Sequence, residues 1–100
     1  MTERLSLIVV ARIVALPDKV EQVKSALMQL LSPTRLEDGC IIYQLLQNQE
    51  DPTDFTFVEE WESNAKLDAH LASAHLQEAL PKLNGALAAS PDIRRYRLLA

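Results

Sequence analysis

Two segments of this chain are apolar on both of the faces that a β-strand presents. The first, Leu5 to Ala15 (LSLIVVARIVA), is rich in β-branched residues that suit a pleated surface. Successive strand side chains point to opposite faces. Leu5, Leu7, Val9, Ala11 and Ile13 therefore share one face, and Ser6, Ile8, Val10, Arg12 and Val14 the other. The second segment, Cys40 to Gln47 (CIIYQLLQ), places Cys40, Ile42 and Leu46 on one face and Ile41, Tyr43 and Leu45 on the other. A sheet covered by helices on one side alternates to polar residues on its solvated side, and these segments do not. An apolar face left open is a patch that soluble monomers rarely carry. Helices on both faces would cover it, and so would a second copy of the chain. Each buried Val, Leu or Ile contributes about 1.5–3 kcal/mol. A handful per subunit outweighs an association cost of about 4–15 kcal/mol. Two-fold pairing of like faces is the commonest arrangement, so a homodimer is expected.

The rest of the chain supplies what such a sheet needs. Pro17-Asp18 opens a helix in which Asp18 and Glu21 have capping-box spacing, and Val20, Val23, Leu27, Leu30 and Leu31 recur on one stripe. Pro33 is expected to end it. Glu37-Asp38-Gly39 is a turn, and the segment Asn48 to Asp54 (NQEDPTD) is a polar hairpin loop. Phe55 to Glu62 reads as a third strand. Ser63 and Ser73 each suit an N-cap. Leu76, Leu80, Leu83 and Leu87 form a last helical stripe, with a kink or a fresh start expected at Pro81. Ile93 to Leu99 is the final strand. The order β-α-β-β-α-β predicts an α+β, ferredoxin-like sandwich, with residues 1–100 as one domain.

Charge and cysteine usage narrow the function classes. The net charge is −4, which disfavours a phosphate backbone, so no nucleic acid partner is expected despite Arg94, Arg95 and Arg97. The single Cys40 has no partner for an internal disulfide, and no metal spacing is visible. The opening apolar stretch contains Arg12, is too short to span a membrane and lacks a cleavage pattern. The expectation is a cytoplasmic protein with no membrane partner. Neither a G-x-G-x-x-G nor a P-loop is present.

The stretch Glu59-Glu60-Trp61-Glu62-Ser63, then Leu67-Asp68-Ala69-His70-Leu71, then Ser73-Ala74-His75 resembles the signature of the antibiotic biosynthesis monooxygenase family, quinol monooxygenase-like members above all. That signature is approximately E-x-W-E-S, L-x-A-H-L and S-P-H-F. Gly39-Cys40, Asp51-Pro52, Ala11-Arg12 and Leu16-Pro17 fit as well. Ala74 replaces the usual proline and Leu76 the usual phenylalanine or methionine. The resemblance implies a dimeric α+β barrel, two ferredoxin-like subunits packed through their sheets. It also implies oxidation of a quinol or related aromatic by O2 without flavin, haem or metal. Haem-degrading relatives are expected to carry an asparagine in the first strand, and this strand has none.

A cofactor-free oxygenase draws its reactivity from the substrate. It needs an apolar pocket, a proton acceptor and a donor for the oxyanion. The candidate catalytic residues are His70 and His75, the two histidines, which suit proton transfer near neutral pH, and Glu59, which could orient a nearby histidine or be an ordinary exposed or ion-paired carboxylate. The candidate substrate-binding residues are Trp61, one strand step from Glu59 on the same face, the hydroxyl donors Tyr43 and Tyr96, and Arg12. As a buried arginine, Arg12 would need a carboxylate such as Glu60 or a substrate anion. Each has an ordinary structural role as its alternative: core packing for Trp61, helix-end packing for the histidines, ion pairing for Arg12. The alternative function is a dimeric barrel that binds or senses a small hydrophobic ligand without turning it over.

Overall fold

The β-branched run of the first segment forms strand β1 (Leu7–Val14), the centre of a four-stranded sheet. The computed structural model describes residues 6–100, so Leu5 lies outside the described residues. Helices α1 (Val20–Met28) and α2 (Leu31–Arg35) lead to β2 (Cys40–Gln47) and β3 (Asp54–Trp61). Helices α3 (Asn64–Leu71) and α4 (Ala74–Leu83) lead to β4 (Asp92–Arg97). The strands lie in the order β2-β3-β1-β4, and every neighbouring pair is antiparallel. This is the expected α+β, ferredoxin-like arrangement.

The helices cover one face. Val9, Ala11 and Ile13 of β1 and Phe55, Phe57 and Trp61 of β3 are buried there. Val23 and Leu27 of α1, Leu67 of α3 and Ala79 and Leu83 of α4 join them in one cluster. The opposite face carries Ile8, Val10 and Val58 half-buried, and Ile42, Leu46 and Tyr96 exposed. Strand β2 departs from strict alternation, because its register against β3 shifts between Cys40 and Ile42. Cys40 pairs with Trp61, Tyr43 with Glu59 and Leu45 with Phe57, so these three share the helix side. The inserted Ile41 moves Cys40 away from Ile42 and Leu46, since one extra residue exchanges the two faces.

Three helix expectations change. The Lys19 amide donates to the Leu16 carbonyl at 2.9 Å, closing a turn that absorbs Asp18. Lys19 therefore becomes the N-cap of α1, without a side-chain cap bond, and the Asp18–Glu21 capping box does not form. Pro33 does not end α1, which stops at Met28. It lies in the first turn of α2, where an amide has no helical partner anyway. Pro81 starts no new helix. It sits in the last turn of α4, which runs to Leu83 and leaves Leu87 beyond it in a bridge to Ala15. Ser63 and Ser73 do cap α3 and α4, accepting from the Lys66 amide at 3.2 Å and the Leu76 amide at 3.4 Å.

Candidate active site

Between the helix face of the sheet and the helices lies a cavity of about 230 Å³. Its walls are almost wholly apolar, and three side chains bring polar chemistry to it: Tyr43, Glu59 and His70. Leu80 and Ile93 line it yet are each half exposed, which puts the mouth between α4 and β4. A larger groove of about 820 Å³ passes the end of α4, but no titratable side chain lines it.

Glu59 and Trp61 share a face of β3 because they are two residues apart. The Trp61 indole N–H donates to Oε1 of Glu59 at 2.8 Å. Glu59 is only 5% exposed. Burial pushes its carboxyl up to about 7, the Trp61 hydrogen bond pulls the other way, and the nearby Glu37 carboxylate adds to the rise. Across the strand pair, the Tyr43 ring stacks on Phe57 at 4.9 Å. Burial first, and then the charge of Glu59, raise the Tyr43 phenol above its usual value, so it stays a protonated donor.

His70, in the last turn of α3, is buried. Its ring lies against Trp61 at 4.8 Å and edge-on to Tyr43 at 5.6 Å. Its partner is not Glu59 but Glu37, whose Oε2 lies 2.6 Å from Nδ1. The same oxygen lies 2.7 Å from Nε2 of His75, the second residue of α4. The two histidines thus meet across the helix break, although His75 does not line the cavity. Glu37 is the residue that sequence reasoning missed: it appeared only as part of a turn. Gly39, at φ +89, makes that turn, and Asp38 pairs with Lys66 of α3. No spacing signal joins a turn carboxylate to a histidine 33 positions away.

Arg12 and Tyr96 lie on the opposite sheet face, away from this cavity. Arg12 is exposed rather than buried, and its Nε donates to Oδ1 of Asp54 at 2.9 Å, not to Glu60. Burial of Tyr96 is likewise incomplete.

The donor set Glu37, His70 and His75 is the kind that holds a divalent metal, and its atoms gather within 4.8 Å of one another. A tetrahedral zinc shell keeps its ligands about 3.3 Å apart, given bonds of about 2.0–2.1 Å. The nitrogen–oxygen separations of 2.6 and 2.7 Å are hydrogen-bond distances, so as placed the three side chains form a hydrogen-bonded triad.

Residues 6–82 match the family model described as antibiotic biosynthesis monooxygenase. The chain belongs to this family. The crystal structure of an antibiotic biosynthesis monooxygenase is 30% identical, with a TM-score of 0.88 over 94% of this chain and 99% of that one. A Pseudomonas aeruginosa protein of known structure is 28% identical, with a TM-score of 0.92 over 99% of this chain and 100% of its own. An uncharacterized Synechocystis protein is 29% identical over 92% of this chain, which spans 63% of that relative's length. Its family and its ferredoxin-like fold agree with the resemblance carried by Glu59, Trp61, His70 and His75.

Proposed function

We propose that this family member oxidises a small quinol or related aromatic with O2, drawing on no flavin, haem or metal. The observation that carries the reading is the convergence of Glu59, His70 and Tyr43 on one apolar cavity. A carboxyl held near 7 is half ionised at neutral pH, where a general base works best. Glu59 and His70 take protons, Tyr43 donates to the substrate oxygen, and Trp61 supports both the carboxylate and the imidazole. The ionised ring then reduces O2: one oxygen atom enters the ring in place of hydrogen, the other leaves as water, and the product is a hydroxylated quinone.

The cavity's size selects the substrate. An apolar cavity of about 150 Å³ takes benzene, and drug-sized ligands occupy about 300–1,000 Å³. A volume of about 230 Å³ suits one or two fused rings rather than a polycycle.

A homodimer sealed through the open sheet face completes the proposal, because that face leaves Ile42 40%, Leu46 49% and Tyr96 47% exposed. A second copy brings the same patch, and two-fold pairing covers both at once. Arg12 and Tyr96 then belong to the subunit interface. A reducing, cytoplasmic setting accords with the single free thiol of Cys40.

An oxygen electrode with reduced menadione-type quinols tests the activity. Uptake above the autoxidation rate is expected, falling at least about a hundredfold in Glu59→Gln or His70→Ala. Saturable quinol binding without any uptake would make this a binding module instead.

A further inference from the structure

We propose that Glu37 is a positioning residue that fixes the proton of His70 on Nδ1, with His75 holding Glu37 in place, so that the lone pair of His70 Nε2 is the proton acceptor of the cavity. This rests on the reading of the cavity as a quinol-oxidising site.

A carboxylate oxygen accepts, so each ring nitrogen that bonds Oε2 of Glu37 donates to it. His70 then has its hydrogen on Nδ1, and Nε2 keeps its lone pair. No group among the described residues bonds Nε2. The ring lines the cavity, and Glu37 occupies its other nitrogen. An imidazole held this way by a carboxylate has one tautomer and one orientation, and the carboxylate stabilises the imidazolium formed when the base takes a proton.

The two donors on Glu37 do different work. His70 is buried, whereas His75 is partly exposed, on the solvent side of the carboxylate. His75 donates from α4 while His70 donates from α3, so the carboxylate is held from both sides of the helix break. Glu59 is bonded to Trp61 instead, which leaves it free of this role.

Long-range ¹H–¹⁵N NMR of the histidine rings reads the tautomer without any substrate. His70 is expected to show its proton on Nδ1 in the wild-type protein, to lose that preference in Glu37→Ala, and to keep it in Glu37→Gln, whose amide oxygen still accepts. A wild-type spectrum with the proton on Nε2 overturns the proposal, even if the alanine variant does not fold. So does an unchanged tautomer in folded Glu37→Ala. In the oxygen assay, Glu37→Ala is expected to lower kcat at least about tenfold with KM changed less than about twofold, and Glu37→Gln to recover part of the loss. A wild-type protein without uptake removes the quinol reading while the tautomer still decides the role of Glu37. Zn²⁺ added after chelator treatment is expected to leave both histidine spectra unchanged. A saturable shift of both at stoichiometric metal would make the triad a metal site and overturn the positioning role.

Discussion

Glu59 is an ionisable group in a place that penalises its charge. Its carboxyl is pushed up to about 7 in the folded chain by burial, against about 4.3 when unfolded. Between those values the native state holds more protons than the unfolded state. Stability therefore falls as pH rises from about 4.3 to 7, and levels off above, with a total change on the order of 3 kcal/mol. Glu59→Gln keeps an oxygen for the Trp61 indole and removes the charge. It is expected to stabilise the protein at pH 8 by on the order of 1–3 kcal/mol and to add nothing near pH 4. Urea unfolding at both values checks this, and an equal gain at both would contradict the burial argument. That Glu59 and Trp61 share a face was legible as a two-residue strand step. That the carboxylate is buried was not, because its neighbours Tyr43, His70 and Leu67 come from two other elements, β2 and α3.

The turn ahead of β2 carries more of the site than its length suggests. Gly39 adopts φ +89, and a Cβ there would meet the Lys66 side chain. Gly85 also has positive φ, +75, but nothing lies within 4 Å of its would-be Cβ. The two glycines separate backbone strain from collision. Gly85→Ala is expected to cost about 1 kcal/mol from the left-handed backbone alone. Gly39→Ala is expected to cost about 2–3 kcal/mol, and to weaken the Glu37–His70 bond by shifting the turn. Urea midpoints of the two variants check the ranking, and equal costs would mean that Lys66 yields freely. The strands and the two serine caps were readable because they depend on neighbours within four residues. The Asp18 cap, the Pro33 boundary and the fresh start at Pro81 were misread, since competing local hydrogen bonds and helix-end geometry decided them.

For the molecule as a whole, the open sheet face sets the oligomeric expectation. Ile42 and Leu46 stand exposed on it beside Tyr96. The Ile42→Asp/Leu46→Asp double variant, with two charges in the proposed interface, is expected to give the mass of one chain by light scattering at micromolar concentration, where the wild-type protein gives two. Burying these side chains is worth about 1.5–3 kcal/mol each, so the loss is expected to exceed a hundredfold in the dimer constant. A single-chain mass for well-folded wild-type protein would remove the dimer.

The order of strands and helices, the faces of β1 and the shared face of Glu59 and Trp61 on β3 followed from the sequence alone. Each is a matter of side-chain period, which is local. The tertiary structure decided what has no period. Docking of α3 and α4 beside the β2 turn brought Glu37 onto His70 and His75, 33 and 38 positions away. The same docking enclosed the cavity and withdrew Glu59 from water, and the register shift in β2 set which of its side chains faces the cavity. Contacts between distant positions form only when whole elements pack, and no spacing along the chain announces them.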